Sequence, residues 1–497
     1  MEVVIIGAGM GGLFCGALLA KRGVRVTVLE KNASIGGGLQ TFTRNGETYE
    51  TGMHVAGGFN EGGILNSICR YLGIMDRLRI RESDLMLSVT YTDSGRTYDL
   101  PAGREAFIRY LSGLFPHEAE NIKRYVDAVF RLSHEEKLFY LESISGIQDH
   151  TDEFFMPADE FIARYISDPE LRAVLASVNP LYSGIPGHSP AYIHVMISAL
   201  FMENPCWFEG GSGQLADALR SVIEQGGGKV LTRCEVTQVR VSDLNVECVV
   251  DKEGNEYRAD WYISDIHPLT LIPMIEGKAF TTGYKSRLES IPDTASAFKV
   301  YVRLKPGTVR FPGHPVSIVD SRENAWKMAE YDLKDWPHGV NCFFGEGRGG
   351  YASHLTAYCL MDFAEVKEWE NTRSGHRGES YEVWKRERTD RVMDLVEKRF
   401  PGIKDCAQEV FASSPLTFRD WFGAKNAGAY GFFKDAANIA GSQIPIRTKV
   451  RNLLLTGQNV NMHGIGGVPM TAIETIQTIF ADDFVLNGIK QAISDKK

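Results

Sequence analysis

The chain has little that points to metal, disulfide or nucleic-acid chemistry. Its eight cysteines (Cys15, Cys69, Cys206, Cys234, Cys248, Cys342, Cys359 and Cys406) include no Cys-x-x-Cys and no metal-like pairing, which argues against structural zinc and thiol–disulfide exchange. No His/Asp/Glu cluster has ligand spacing, so no metal site is expected. Positive charge is in deficit: 54 Lys and Arg face 63 Asp and Glu, for a net charge of -9 and a pI near 5.8. A polyanion-binding face needs the opposite balance, so nucleic acid is not an expected partner. No apolar run reaches the ~20 residues of a membrane span; the longest, 191–202, is interrupted by His194. Shallow peripheral contact with a membrane stays open. The opening residues form a strand-like run with no basic-apolar leader, and the expectation is reduced thiols in a cytoplasmic setting. Internal repeats, low-complexity tracts and a Gly-x-Ser-x-Gly elbow are also absent, which leaves a serine hydrolase unsupported.

Glycine is in excess, with 50 in 497 residues against an average of about 7%, and it clusters. The length exceeds the roughly 250–300 residues at which one core stops growing, so two or more domains are expected. The first cluster follows the apolar run Glu2–Ile6: Gly7-Ala8-Gly9-Met10-Gly11-Gly12, then a helical pattern from Leu13 to Arg22 closed by Gly23. A second strand pattern, Val24–Leu29, ends in Glu30, eighteen residues past Gly12. This is a βαβ unit of dinucleotide-binding form. Gly7 makes the tight turn, Gly9 lets backbone approach a pyrophosphate, Gly12 lets helix pack on sheet, and the helix N-terminus favours the anion. Glu30 suits two ribose hydroxyls and would repel a 2′-phosphate, which favours FAD or NAD over NADP.

A second cluster, Ile35-Gly36-Gly37-Gly38-Leu39-Gln40-Thr41-Phe42, follows directly. A nicotinamide-binding unit has no use for it, and the two clusters together resemble the extended flavoprotein signature of the amine oxidase and phytoene desaturase superfamily. There the double glycine approaches the flavin side of the pyrophosphate and an Arg often follows; Gly38 holds that position here. The segment Gly46–Gly58, which contains Met53-His54-Val55, resembles the all-trans-retinol 13,14-reductases (retinol saturases), and the carotenoid isomerases are wider relatives. Phe208–Ala216 and Gly227–Val236 resemble the same family's return to the FAD domain, which implies main-chain contact of Val236 with adenine. Ser414–Thr417, Gly428–Gly431 and Leu455–Asn459 follow in family order. The resemblance covers both ends and the middle, about half the chain; 75–200 and 305–410 carry no matched motif. Gly211-x-Gly213-x-x-Ala216 formally repeats the fingerprint, but Pro205–Phe208 before it does not read as a buried strand, so it is taken as a helix N-terminus rather than a second dinucleotide site.

Toward the C-terminus, 452–456 reads as a buried strand and Val468-Pro469 as the start of a helix. A helix N-terminus there would face the flavin N1–C2=O edge and favour the charge of a reduced flavin. After Gly457 the superfamily usually has an acidic residue, where this chain has Gln458, whose amide can still bond a ribityl hydroxyl. The FAD-contact set is thus Gly7, Gly9, Met10, Gly11, Gly12, Glu30, Lys31, Gly37, Gly38, Leu39, His54, Val236, Gly457, Gln458, Gly467 and Val468. No cysteine occupies 428–431, so FAD is expected to be non-covalent.

Catalytic candidates are fewer, because a flavin carries the hard chemistry itself. His463 is placed to relay a proton or simply to bond backbone, and His54 reads as a flavin contact. Tyr430 reads as a pocket wall, a proton donor or a core aromatic. Lys299 resembles in placement the lysine that holds a water near flavin N5 in amine oxidases, while the plainer reading is an exposed strand lysine. Gly345–Gly350 reads as a mobile loop, since no helix-opening Lys-Ser/Thr follows.

The expected fold is α/β: a three-layer, Rossmann-like FAD-binding domain on a parallel sheet, built from 1–75, 205–270 and 445–497, with an α+β substrate domain formed by two insertions, 76–204 and 271–444. The resemblance implies an FAD-dependent oxidoreductase acting on carbon–carbon bonds of an apolar isoprenoid or polyene, with NADH or NADPH as a candidate electron donor. Direction and oligomeric state stay open. The alternatives are a flavin amine oxidase, a double-bond isomerase using reduced flavin, and a flavin-free lipid-binding protein of the same fold.

Overall fold

The computed structural model describes residues 1–143, 149–277 and 279–494. Three parts of the expected domain ranges, 144–148, 278 and 495–497, lie outside the described residues.

The first layer to explain is a five-stranded parallel sheet in the order β19 (Leu453–Leu455), β13 (Trp261–Ser264), β1 (Glu2–Ile6), β2 (Arg25–Leu29), β9 (Lys229–Leu231). In β1 the run of consecutive apolar residues is what a strand covered on both faces requires. Val3 and Ile5 pack with Leu13 and Leu18 of the first helix, Met10–Lys21. Val4 and Ile6 pack instead with Val239 and Val249 of an antiparallel sheet made of β10 (Val236–Ser242), β11 (Asn245–Asp251) and β12 (Glu256–Tyr257). The helix layer is completed by Gly213–Gln225 and Gly464–Phe480, which flank the first helix. The result is the three-layer, Rossmann-like arrangement.

A second, seven-stranded sheet runs β18 (Ala407–Ser413), β14 (Ser296–Leu304), β17 (Ala352–Met361), β16 (Gly339–Glu346), β15 (Val316–Val319), β6 (Leu85–Tyr91), β7 (Arg96–Pro101). The two chain insertions meet inside it: β6 pairs parallel with β15, Val89 opposite Ser317. The long helix Glu379–Arg399 covers one face through Val392 and Val396, packed with Phe298, Val300 and Val302 of β14. The other face turns toward the cofactor side, where the hairpin of β3 (Thr41–Arg44) and β4 (Glu47–Glu50) closes on it.

Helices from 104 to 203 form the remaining wall, centred on Ala191–Glu203. His194, the polar interruption in that apolar run, is fully buried between two tyrosine hydroxyls, Tyr125 at 2.8 Å and Tyr182 at 3.1 Å. Among the described residues no helix is long and apolar enough to cross a membrane.

Three local readings need correction. Residues 206–208 do form a strand, β8 (Cys206–Phe208), antiparallel to β5 (Ile80–Glu82). The helix behind it still offers no second dinucleotide site, because the Glu50 carboxylate takes its N-terminus, accepting from Ser212 N at 2.7 Å and Ser212 Oγ at 2.5 Å. Gly345–Gly350 is the end of β16 and a tight turn into β17, closed by Gly347 N donating to Tyr351 O at 2.7 Å. The helix after β19 begins at Gly464, before Pro469. Gly464, at φ +74°, turns the chain into it, and its opening turns carry glycines at 466 and 467, which are poor helix formers.

Candidate active site

A cavity of about 380 Å³ runs along the carboxyl ends of β1, β2 and β13, the edge where open α/β sheets bind ligands. One end is lined by Glu30, Lys31 and Val236, the middle by Gly7, Gly9, Met10, Gly11, Gly37, Gly38 and Leu39, and the far end by His54, Gln458, Gly467, Val468, Lys299, Tyr430 and His463. Gly12 and Gly457 stand behind that lining: a side chain on Gly12 would drive into the Gly7 carbonyl, and one on Gly457 into Asp265.

The two glycine clusters run side by side. Gly36 N donates to Ala8 O at 2.7 Å, and a Cβ on Gly37 would lie 3.1 Å from Gly9 Cα. Together with the N–H groups that open the helix Met10–Lys21, they form a backbone cradle of the kind that suits an anion. Gly38, where relatives often carry Arg, has open space around its Cβ position, with Gly52 Cα the nearest atom at 4.0 Å. Glu30 is 6% exposed, its carboxylate already fixed by Ala8 N (2.9 Å) and Asn32 N (2.8 Å). The Gly457–Val460 loop is held from below by Lys434, whose buried ammonium donates to Val460 O (2.9 Å), Ser442 O (3.2 Å) and Asn459 O (3.4 Å).

Asp265 was not singled out by sequence. It follows β13, and its carboxylate sits against Gly9, Gly11 and Gly457, on the cradle itself. Burial pushes this carboxyl up to about 7; the Gly12 N–H opposes the shift and the charge of Glu30 adds to it. Its position at the carboxyl end of a parallel strand was the one available signal.

At the far end the expectation of an exposed lysine is overturned: Lys299, on β14, is fully buried. The face of β14 that carries it is sealed by the segment after β4, and Nζ donates to Thr51 O at 2.5 Å and lies 3.0 Å from His54 Nε2. Burial lowers this lysine to about 7, with Glu50 pulling the other way. Glu50 is raised to about 7, mainly by its own burial. His54 is pushed well below the usual histidine range by burial, then by the charges of Lys299 and His354, and its ring stacks on Phe343 at 4.4 Å.

Tyr430 donates its hydroxyl to Pro180 O at 2.9 Å and approaches the Tyr358 hydroxyl at 3.4 Å; burial pushes it up to about 12. His463 lies 4.9 Å from the Tyr430 ring, and its buried Nε2 has no partner among the described residues. Burial brings His463 down to about 4, despite a backbone hydrogen bond at Leu181, so the ring is neutral at pH 7. Beside this group Phe139, Met196, Ile197, Leu200 and Phe201 form an apolar wall. Among the described residues no group of three or more His, Cys, Asp or Glu side chains could hold a metal ion.

Residues 10–475 match the family of flavin containing amine oxidoreductases. The chain belongs to that family. It is 26% identical over 521 residues to human all-trans-retinol 13,14-reductase, covering 95% of this chain and 84% of that protein. It is also 26% identical over 467 residues to chloroplastic prolycopene isomerase 2 of an Oncidium hybrid cultivar, covering 86% and 75%. A crystal structure of an oxidoreductase from Methanosarcina mazei shares the fold, with a TM-score of 0.64, 18% identity and coverage of 96% and 100%. The protein is therefore an oxidoreductase enzyme with an FAD-binding fold.

Proposed function

We propose that the protein uses non-covalent FAD to act on carbon–carbon double bonds of an apolar polyene or isoprenoid. The observation that carries this reading is the apolar wall Phe139, Met196, Ile197, Leu200 and Phe201, which meets the first turn of Gly464–Phe480 in the same cavity as the glycine cradle. Gly466 makes the meeting close, since a Cβ there would lie 3.2 Å from Phe139 and 3.3 Å from Leu200. The reductase and isomerase relatives, whose names denote retinol and prolycopene, support the substrate class.

FAD supplies hydride chemistry at N5 when bound. The cradle of Gly9, Gly11 and Gly37 with the helix opening at Met10 would hold the pyrophosphate, Glu30 the ribose, and the main chain near Val236 the adenine. Gly467 and Val468 would face the flavin from just behind the opening turn of the helix that starts at Gly464, whose N-terminus favours anionic charge. Lys299 Nζ, poised near neutral pH, holds a proton at the edge of the cleft. Tyr430 has its hydroxyl proton engaged by Pro180 O and serves to shape the wall. Neutral His463 presents an unpartnered Nε2 that can hydrogen-bond a polar end of an otherwise apolar substrate.

A second reading, oxidation of an amine, is favoured by the Tyr358–Tyr430 pair at the cleft. The two separate in an anaerobic spectrum of the purified protein. Flavin bands that bleach with NADH or NADPH support the first: reoxidation by a polyene with a product two hydrogens heavier marks saturation, and a flavin that stays reduced while the polyene yields a product of equal mass marks isomerisation. Bleaching by amines alone supports the second, and a colourless protein that takes up no FAD overturns both.

A further inference from the structure

Behind His54 lies a second cavity, of about 520 Å³, between the β3–β4 hairpin, residues 207–211 and the ends of β16 and β17. Its wall is polar and acidic, with Glu47, Glu50, Glu209, Glu346, His314 and His354. Such a space holds water. The partition from the reaction cleft is thin: His54 and Phe343 line both cavities, stacked ring on ring with an interplanar angle of 6°. On the cleft side His54 Nε2 lies 3.0 Å from Lys299 Nζ. Among the described residues the hydrogen-bond partners of Lys299 Nζ are a backbone carbonyl and His54, so His54 is its one proton-exchanging contact, and the rings of Tyr358 and Phe418 each lie 5.2 Å away.

Reducing a double bond consumes one proton per turnover, and forming one releases it. A buried donor must be recharged from solvent between turnovers. We propose that His54 is the proton relay between water in the second cavity and Lys299 in the cleft, an inference that rests on the redox reading above. In the Nε2–H tautomer the ring passes its Nε2 proton to the Lys299 amine while the other ring nitrogen takes one from cavity water. No charge is left on the imidazole, and a turn of the ring about its Cβ–Cγ bond, which keeps its plane against Phe343, resets it. The reverse sequence exports a proton. The groups around the ring suit this: Lys299 from β14, Glu50 and Glu47 from β4, His354 and Tyr358 from β17, with Phe343 of β16 fixing its plane. His354 Nδ1 lies 3.3 Å from Glu47 Oε2, which offers a proton-exchanging pair at the far mouth.

The test needs no substrate. The bound flavin is reduced by a light flash, with deazaflavin as sensitiser and EDTA as electron donor. A pH-indicator dye in solution reports proton uptake, normalised to the flavin reduced in the same flash. In His54→Gln, which can bond Lys299 but cannot relay, uptake slows by about 100-fold, the scale of one general acid–base group. In His54→Ala, free imidazole entering from the second cavity restores the rate, while 1,3-dimethylimidazolium, of similar shape and without an exchangeable proton, does not. Uptake at the wild-type rate in His54→Gln, or equal effects of the two additives in His54→Ala, overturns the relay and leaves the flavin reading intact. A protein that binds no FAD overturns both.

Discussion

The two ends of the cavity are made of different materials. The dinucleotide end is backbone: Gly9, Gly11 and Gly37 with the N–H groups of one helix, all within residues 7–39. The reaction end is side chain: Lys299 from β14, His54 from the loop after β4, Phe343 from β16, Tyr358 from β17 and His463 from the C-terminal loop. A backbone site tolerates no added atoms but is indifferent to titration. The side-chain site tolerates substitution but depends on protonation. Beyond Glu30 and Lys31 at its outer edge, Asp265 is the exception, a titratable group set into the cradle itself.

That contrast can be broken hardest at Gly12. Gly12→Leu is expected to abolish FAD uptake and lower stability by about 3 kcal/mol, as overpacking against a rigid carbonyl does; the 450 nm absorbance and thermal melting together check this. Lys299→Met should leave bound flavin in place and cut turnover about 100-fold. With Lys299 acting as acid, wild-type turnover in the saturating direction should fall as pH rises through about 7, since the ammonium is lost there, and a pH–rate profile that is flat from 6 to 8 contradicts the role.

At the exception, Asp265 is neutral below about 7 and anionic above it. An anion on the cradle repels a pyrophosphate. FAD affinity should therefore be constant below that pH and fall toward tenfold per unit above it, one proton being taken up on binding. Asp265→Asn should keep the low-pH affinity at pH 8, as read by titration of the apoprotein. The smallest effect is expected at Tyr430. Tyr430→Phe loses the bond to Pro180 O, at a cost of about 1 kcal/mol in stability, with turnover within a factor of about three of wild type; a larger drop in turnover would make the hydroxyl a proton donor after all.

The same contrast decided what was legible in the sequence. Glycine demands at 7, 12, 36 and 37 are local, so order and spacing display them. The lysine at 299 sits in a strand pattern, Ser296–Leu304, that reads equally well with either face exposed. Only the packing of residues 51–54 from a distant hairpin buries it. Asp265 is an ordinary residue after an ordinary strand, and its importance comes from Gly9, Gly11 and Gly457 converging on it. The second fingerprint at 211–216 was rejected for want of a strand. A strand is present, and what fills the helix N-terminus is Glu50. The early start of the helix Gly464–Phe480 escaped notice because its first turn is stabilised by tertiary packing, which overrides weak propensity.

The parallel pairing of β6 with β15 has a consequence for synthesis. Residues 85–91 emerge long before their partner at 316–319, and β1 waits for β13 at 261–264, which itself waits for β19 at 453–455. Neither sheet can close until most of the polypeptide has left the ribosome. Contacts of such long sequence separation fold slowly and keep strand edges unpaired meanwhile. The nascent chain is a natural client for chaperones, and C-terminal truncation before residue 453 should yield aggregate rather than a smaller folded unit.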